Sequence, residues 1–373
     1  MAVSSHRDDF FQTTNALDEQ KRKDAKSSNT NGSPIRLQSK ILAVQPDPFD
    51  LGAVYVAQSG GTVRKIVLAT EETVSIFKGP TAPVTSLCFS PNGKILFAGC
   101  WDKTVWSWDV TSTQRKLQYE GHNDFVRALV TTRIKGQDLL VSGGADAQIL
   151  VFDIVSGQRL HTLKGHAKGI QDLLIDPLTL DDDSADQILF SAGSDREIRQ
   201  FDLSKGSQDL TGTEALLAHE TNVYKLYFDQ DGDLWTASAD KTTKCLVRED
   251  GWKENLSLHH PDYVKDVVVD ERGGWVITAC RDEEIRVWNR STGQLYHTLS
   301  GHFEEVTGLV LLGTTLVSVS IDATVRQWSL KPDDLRNAVA EATKPPTDEQ
   351  SANPEYMLTE EEERELAELL EED

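Results

Sequence analysis

The sequence of 373 residues predicts an all-β protein in which one small sheet is built many times over. At six places an aspartate is followed six residues later by an aromatic residue or leucine, and these places are forty to forty-nine residues apart. Such an interval is typical of one supersecondary unit that repeats and packs on its neighbours. The six pairs are Asp102/Trp108, Asp146/Phe152, Asp195/Phe201, Asp240/Leu246, Asp282/Trp288 and Asp322/Trp328.

Each unit is predicted to contain four short strands, as the fifth of these repeats illustrates. The run Val264–Val269 is followed, after a turn, by a second apolar run, Trp275–Ala279. A third run, Glu284–Trp288, comes after the aspartate, and a fourth, Leu295–Leu299, comes after a Ser-Thr-Gly turn. Runs rich in Val, Ile, Trp and Tyr between turn residues predict an antiparallel meander.

A histidine and a hydroxyl side chain recur in register with five of the six aspartates. The histidine precedes a β-branched apolar residue by four positions, and glycine often stands before it; the five are His122, His166, His219, His260 and His302. The serine or threonine stands four residues before the aspartate; these five are Ser142, Ser191, Thr236, Thr278 and Ser318.

With the dipeptide Trp108-Asp109, these spacings closely resemble those of the WD-repeat β-propeller family over residues 38–330. The resemblance implies a seven-bladed β-propeller of four-stranded antiparallel blades. It also implies that each aspartate accepts hydrogen bonds from its histidine and from turn backbone, while the hydroxyl residue bridges histidine to tryptophan. The predicted blades cover residues 38–79, 80–121, 122–165, 166–218, 219–259, 260–301 and 302–330.

Three segments are predicted: residues 1–36, the propeller at 37–330, and an acidic tail at 331–373. The last blade shows only three strands before Lys331, so its outer strand is expected from the N-terminal segment, which would remove a sheet edge. Ser27–Ser33 is a poor strand, and Phe10–Thr14 is the better candidate. Residues 1–36 otherwise lack periodicity, so disorder is the alternative expectation for them.

Charge and composition limit the classes of function. The net charge of −22 argues against direct nucleic-acid binding, which needs clustered lysine and arginine. Residues 331–373 hold fifteen acidic and four basic residues, hence −11. We expect no membrane segment, no secretion signal, and no metal or cofactor, because the four cysteines have no ligand spacing. Reduced thiols favour the cytoplasm or nucleus.

The recurring Ser/Thr–His–Asp sets have the composition of hydrolase triads, but a constellation repeated around a ring indicates scaffold rather than one active site. Two sets are complete with tryptophan, Trp288 and Trp328. We therefore expect Asp282→Ala or Asp322→Ala to lower the free energy of unfolding by roughly 2–4 kcal/mol. The acidic turn 229–233 is predicted to be a hairpin rather than a calcium loop, and the run 181–183 a solvated insertion.

The residues next to the histidine and aspartate turns are predicted to project at one rim. Exposed aromatic and arginine side chains there would form a partner site, and a cationic arc would suit an acidic or phosphorylated peptide. The predicted rim residues are Trp101, Lys103, Phe125, Arg196, Lys241, Tyr263 and Arg281, with Asn222, Glu283 and Glu305 at equivalent positions. A methyl-lysine cage of Trp101, Phe125 and Tyr263 is another possibility.

The C-terminal tail carries a second signal. Thr359–Glu362 fits a capping box, and leucines follow at helical spacing, which predicts a short amphipathic helix over 359–371. It would be a solvated helix, a helix that docks in a partner's groove, or a helix that folds back on the cationic arc.

The predicted function is a non-enzymatic scaffold for protein–protein interactions, a monomer within a larger hetero-complex. The alternative is a reader of an acidic, phosphorylated or methylated peptide, such as a chromatin or ubiquitin-ligase substrate receptor. A propeller enzyme would need carboxylates or a nucleophile outside the repeated set, and we find none in the sequence.

Overall fold

The computed structural model describes residues 21–24, 26–180, 187–205 and 215–342. It contains seven antiparallel sheets, which confirms the seven-bladed β-propeller that the repeats predict. We number the strands in chain order and the blades from 1 to 7. The strand that follows each histidine loop is innermost, and the next strands lie progressively outward.

Blades 1 to 3 each have four strands. The strands of blade 1 are β2 (Ile41–Pro46), β3 (Ala53–Gln58), β4 (Val63–Val67) and β5 (Glu72–Phe77). Those of blade 2 are β6 (Val84–Phe89), β7 (Ile95–Cys100), β8 (Val105–Asp109) and β9 (Arg115–Tyr119). Those of blade 3 are β10 (Val126–Ile134), β11 (Gln137–Gly144), β12 (Ile149–Asp153) and β13 (Arg159–Leu163).

Blade 4 has three strands among the described residues, and blades 5 and 6 have four. The strands of blade 4 are β14 (Ile170–Ile175), β15 (Ile188–Gly193) and β16 (Ile198–Asp202), with one bridge from Ile198 to Leu216. Those of blade 5 are β17 (Val223–Phe228), β18 (Leu234–Ser238), β19 (Thr242–Val247) and β20 (Lys253–His259). Those of blade 6 are β21 (Val264–Asp270), β22 (Trp275–Cys280), β23 (Glu284–Asn289) and β24 (Leu295–Ser300). The predicted insertion at 181–183 lies outside the described residues.

The ring closes in blade 7, whose own strands are β25 (Val306–Leu312), β26 (Thr315–Ser320) and β27 (Thr324–Ser329). Its outermost strand is β1 (Ile35–Arg36), which pairs antiparallel with β27. The N-terminal segment therefore supplies the closing strand, at Ile35–Arg36, whereas Phe10–Thr14, the candidate that the sequence favoured, lies outside the described residues. Ile35 closes the sheet because its apolar side chain is buried in the core shared by blades 7 and 1.

The apolar core lies between neighbouring blades rather than within them. One cluster joins Tyr55 and Phe77 of blade 1 to Leu87 and Trp108 of blade 2, and further clusters join blades 2 and 3, 3 and 4, 4 and 5, and 5 and 6. Each sheet thus needs a neighbour to bury its faces, which is why a single repeat cannot fold alone.

The described part of the N-terminal segment contacts the propeller through side-chain hydrogen bonds and through strand β1. Residues 21–24 and 26–27 are helical. Residues 1–20, including Phe10–Thr14, lie outside the described residues.

A helix, Pro332–Ala342, forms in a separate unit after the propeller. Proline at the first position and Asp333 and Asp334 in the first turn favour its start, although the sequence pattern did not lead us to expect it. The helix predicted at 359–371 lies outside the described residues. Among the described residues, no helix has the length and apolar character needed to cross a bilayer.

Candidate partner-binding face

Blades 3, 4 and 5 each bring their histidine, aspartate and hydroxyl residue together. In blade 3, His122 Nδ1 lies 3.0 Å from Asp146 Oδ1, and His122 Nε2 lies 2.8 Å from Ser142 Oγ. Because the ionised carboxylate only accepts hydrogen bonds, Nδ1 carries the proton and Nε2 accepts from the serine hydroxyl. Blades 4 and 5 repeat this arrangement with His166, Asp195 and Ser191, and with His219, Asp240 and Thr236.

Blade 7 holds the complete four-residue set. His302 Nδ1 donates to Asp322 Oδ2 at 2.8 Å, and the Ser318 hydroxyl lies 2.8 Å from His302 Nε2. Trp328 Nε1 donates to the same hydroxyl at 2.9 Å. Asp322 also accepts from the Thr324 hydroxyl and backbone N–H, so each oxygen of this fully buried carboxylate has a donor.

Blade 6 departs from the predicted set. His260 Nε2 lies 2.8 Å from Thr278 Oγ1, which also accepts from Trp288, but His260 Nδ1 pairs with the Leu258 carbonyl at 3.1 Å. Asp282 instead accepts two hydrogen bonds from Arg286, the shorter at 2.6 Å. The expectation that His260 donates to Asp282 is therefore wrong, because the Arg286 guanidinium forms a bidentate ion pair with the Asp282 carboxylate.

Burial sets the protonation states of these networks. It lowers the pKa of His122, His166 and His302, and it lowers the pKa of His260 to about 4, where nearby Arg286 adds to the effect. Burial acts to raise the pKa of the paired aspartates, but hydrogen bonds and positive charge from histidine or arginine, together with further hydrogen bonds from nearby residues, outweigh it. Each pKa is therefore lowered; these aspartates are Asp195, Asp240, Asp282 and Asp322. For the pairs His166–Asp195 and His302–Asp322, a neutral histidine beside an ionised carboxylate is the resulting state at neutral pH.

The hydroxyl groups of the networks cannot reach a substrate. Ser142, Ser191 and Ser318 have no exposed surface, and nucleophilic catalysis requires access to the reacting carbonyl. In blade 3 the hydrogen bonds join the histidine loop to the aspartate turn, because Asp146 accepts from both His122 and the Asn123 backbone.

One group in the described residues has a spacing that could suit a metal ion: His166, Asp195 and Glu197. Asp195 already accepts from His166 and from the Ala167 backbone, and Glu197 pairs with Arg199 at 2.6 Å. Their ligand atoms are therefore used within the protein, and we assign no metal to them.

The rim carries an exposed aromatic pair. Trp101, in the turn between β7 and β8, stacks on Phe125, in the loop before β10, with ring centroids 4.8 Å apart and planes inclined by 13°. Trp101 is 43% exposed. Because the two faces touch, no gap remains between them for a methylated ammonium group, which argues against the predicted cage.

The predicted cationic arc is divided among separate contacts. The Arg281 guanidinium lies over the Tyr263 ring, 5.2 Å from its centroid, and Lys241 Nζ donates to the Pro261 carbonyl at 2.9 Å. Lys103 and Arg196 are exposed, with positive φ at their turns, and neither shows a side-chain hydrogen bond or ion pair in the described chain. Of the equivalent positions, Glu283 is buried rather than projecting into solvent.

The central channel opens beside the aromatic pair. A cavity of about 760 Å³ is lined by the innermost strands and reaches Trp101, Asn222 and Glu305 at the rim. The sequence analysis did not predict that charged residues line this channel. Charged residues within the otherwise apolar innermost strands were the sequence feature that could have indicated it. The charged lining residues are Arg127, Asp172, Lys225, Lys265, Asp266 and Glu305.

Most of these channel charges are paired across blades. Lys225 Nζ lies 3.2 Å from Asp172, and Lys265 Nζ lies 3.2 Å from Glu305. Asp266 accepts from the Leu309 backbone at 2.8 Å, and burial raises the pKa of its carboxyl to about 6 against the opposing effect of Lys225. This arrangement joins blades and gives the channel a polar wall.

Two arginines at the opposite rim were also missed. Arg248 of blade 5 binds Asp176 of blade 4 through two hydrogen bonds of 2.8 Å. Arg290 of blade 6 binds Asp229 of blade 5 at 2.9 Å. The sequence feature that could have indicated both arginines is their position directly after the third strand of the blade. The other five blades have apolar residues at this position: Leu68, Val110, Ile154, Leu203 and Leu330.

Seven like-built sheets, buried polar networks and an open rim define a β-propeller of the class that typically serves as a protein-interaction scaffold. The family model "WD domain, G-beta repeat" matches residues 71–109, 252–289 and 293–329. An uncharacterized WD repeat-containing protein of Schizosaccharomyces pombe is 35% identical over 97% of both chains. The chain belongs to the WD-repeat family.

More distant relatives include two nuclear distribution proteins. Nuclear distribution protein nudF of Aspergillus niger is 27% identical, over 79% of this chain and 69% of its own length. Nuclear distribution protein PAC1 of Arthroderma benhamiae is 25% identical, over 69% of this chain and 51% of its own length. The first of these similarities extends along most of both chains, whereas the second spans about half of the longer protein.

Proposed function

We propose that the protein is a non-enzymatic scaffold of the cytoplasm or nucleus that binds a segment of a partner protein across the rim at Trp101 and Phe125. The stacked aromatic pair carries this proposal. A tryptophan left 43% exposed at the mouth of a channel offers a large, rigid contact surface, and such residues supply much of the binding energy at protein interfaces.

The channel supports the same site. Arg127, Gln171 and Tyr224, near the starts of three innermost strands, line the same cavity as Trp101. Arg127 shows no side-chain hydrogen bond or ion pair in the described chain, so its guanidinium is available to an acidic group. A partner segment that lays an apolar side chain on Trp101 and directs a carboxylate toward Arg127 would use both features.

The experiment is affinity purification of the full chain and of Trp101→Ala, with the double variant Trp101→Ala/Arg281→Glu as a second arm. Leu295→Ala serves as the matched control, because Leu295 is a similarly exposed apolar residue, at 49%, but lies on the outer strand β24. Partners lost from Trp101→Ala but retained by Leu295→Ala, at unchanged thermal stability, support the proposal. Retention of every partner by Trp101→Ala would refute it.

The second candidate is a reader of an acidic or phosphorylated peptide through Arg196, Lys241 and Arg281. It is favoured by the exposure of all three residues at one rim of an acidic protein. The Arg281→Glu arm tests it: loss of partners in the double variant alone indicates the cationic arc, whereas loss already in Trp101→Ala indicates the aromatic site.

A further inference from the structure

A cationic strap, residues 21–24 and 26–27, lies on an acidic surface of blades 6 and 7. Arg22 Nη2 pairs with Glu283 Oε1 at 2.7 Å, and Lys23 Nζ pairs with Glu304 Oε1 at 2.9 Å. Lys26 Nζ lies between two carboxylates, 2.9 Å from Glu283 and 2.8 Å from Glu284. Three cationic side chains thus form ion pairs with three carboxylates that are more than 250 residues away in sequence.

The turns that present these carboxylates belong to the propeller's rim. Glu283 and Glu284 follow Asp282 in the turn between β22 and β23, and Glu304 lies in the loop between β24 and β25. Glu283 has a positive φ of 77° and its side chain is only 6% exposed. With the strap in place this carboxylate pairs with Arg22 and Lys26, and without the strap it would lose both cations.

The strap is held in a way that allows exchange. Its six described residues contain no apolar side chain, so its contact consists of ion pairs and hydrogen bonds, which are weakened by salt. It is fixed at one end, where Arg326 Nη2 donates to the Asn29 carbonyl and β1 pairs in blade 7. A segment anchored at one end keeps a high local concentration but remains displaceable.

The acidic surface has capacity beyond what the strap uses. Glu284 Oε2 is buried and has no hydrogen-bond partner in the described part of the chain. A ligand with one more donor would therefore satisfy this surface better than the strap does.

We propose that Glu283, Glu284 and Glu304 form a docking surface for a cationic helical segment of a partner protein, and that the strap is its intramolecular occupant. The partner segment carries basic side chains with the spacing of Arg22, Lys23 and Lys26, one helical turn from first to last. This surface is separate from the Trp101 site, so either proposal can fail alone.

The test uses the full chain and a fluorescent peptide of its own residues 19–30 as the cationic probe, followed by fluorescence anisotropy at low salt. Arg22→Glu/Lys26→Glu removes the internal occupant by charge repulsion. We expect this variant to bind the peptide about tenfold more tightly than the wild type, from the loss of competing ion pairs. Lys21→Glu is the matched control, since Lys21 lies in the strap but makes no ion pair there within the described residues.

A second pair of substitutions locates the binding. Adding Glu283→Gln/Glu284→Gln to the Arg22→Glu/Lys26→Glu protein should abolish peptide binding, with unfolding midpoints showing that the ring is intact. Equal peptide affinity of the wild type and Arg22→Glu/Lys26→Glu would overturn the proposal. Binding that survives the two glutamine substitutions, or that Lys21→Glu increases equally, would overturn it too.

Discussion

Arg286 and Asp282 form a two-point ion pair in blade 6, with the closest approach, Nη2 to Oδ2, at 2.6 Å. The equivalent aspartate of blade 7, Asp322, is held by His302 instead. The two carboxylates also differ in exposure, because the Asp282 side chain retains 20% of its surface and that of Asp322 retains none. We therefore expect these equivalent positions of the repeat to contribute unequally to stability.

The first prediction concerns this difference. Asp322→Ala should lower the free energy of unfolding by roughly 2–4 kcal/mol, since it removes the acceptor of a fully buried network. Asp282→Ala should cost less, about 1–2 kcal/mol, because the carboxylate that it removes is partly exposed to solvent. Urea unfolding followed by tryptophan fluorescence would measure both. Equal midpoints for the two variants would contradict the assignment of partners.

The second prediction concerns the arginines of the opposite rim. Arg248→Leu should cost roughly 2–4 kcal/mol, because it leaves the buried Asp176 carboxylate without its cation. The pair Arg248→Leu/Asp176→Asn should recover most of that loss, since an amide at residue 176 still accepts from Leu178 N–H. Thermal unfolding is the measurement, and Arg272→Leu is the control on the same rim. A double variant no more stable than Arg248→Leu would show that the ion pair is not the cause.

The third prediction concerns ring closure. Gly32 has φ of 68°, and a Cβ there would lie 2.8 Å from the Trp328 ring. Gly313 has a similar φ of 63°, but a Cβ there meets no atom within 4 Å. Gly32→Ala and Gly313→Ala thus share the left-handed backbone cost, about 1 kcal/mol, and only the former adds a clash.

We therefore expect Gly32→Ala to lower the melting temperature several degrees further than Gly313→Ala does. Proteolysis of the N-terminal segment should also speed up in Gly32→Ala, because the clash lies beside the closing strand. Identical melting temperatures would mean that residues 29–36 adapt without cost.

The fourth prediction is that stability falls as the pH decreases from 7 to 5. Buried histidines have lowered pKa values, about 4 for His260, whereas unfolded histidine titrates near 6.5. Over this range the unfolded chain binds more protons than the folded one, which destabilises the fold. Asp266 acts in the opposite direction, because its folded pKa of about 6 exceeds that of an unfolded aspartate.

Four buried histidines outnumber the one raised carboxylate, so the net change is a loss of stability. Urea midpoints at pH 7 and pH 5 would measure it, and Asp266→Asn should steepen the fall by removing the opposing group. A midpoint that is higher at pH 5 than at pH 7 would refute this balance of groups.

The repeat register was predictable because it depends on local sequence. His302, Ser318 and Asp322 have fixed spacings around two strands and a turn, so their positions follow from the pairing of β25 with β26. The Trp101–Phe125 contact was also predictable as a neighbourhood, since adjacent loops of blades 2 and 3 meet at the rim. The angle between the two rings, by contrast, was not predictable, because side-chain packing sets it. This stacked arrangement is what argues against a cage.

Partner choice was predicted less well where two donors compete. Both His260 and Arg286 are in reach of the loop that carries Asp282. Which of the two donors pairs with it depends on distances between strands and loops that the spacing of residues in the sequence does not determine. The strap was missed for a related reason. Arg22 and Lys26 lack an apolar pattern, and their carboxylates are distant in sequence, so neither periodicity nor composition connects them.

By itself the sequence determined the all-β class, the seven blades, the order of strands and the rim on which turns converge. Strand alternation and turn chemistry are local properties that repeat with the chain. Only the tertiary structure decided that Ile35 closes the ring, that Arg286 displaces a histidine, and that a cationic strap covers Glu283. These features depend on which groups, distant in sequence, come into contact in the folded chain. Electrostatic and packing energies act through space rather than along the chain.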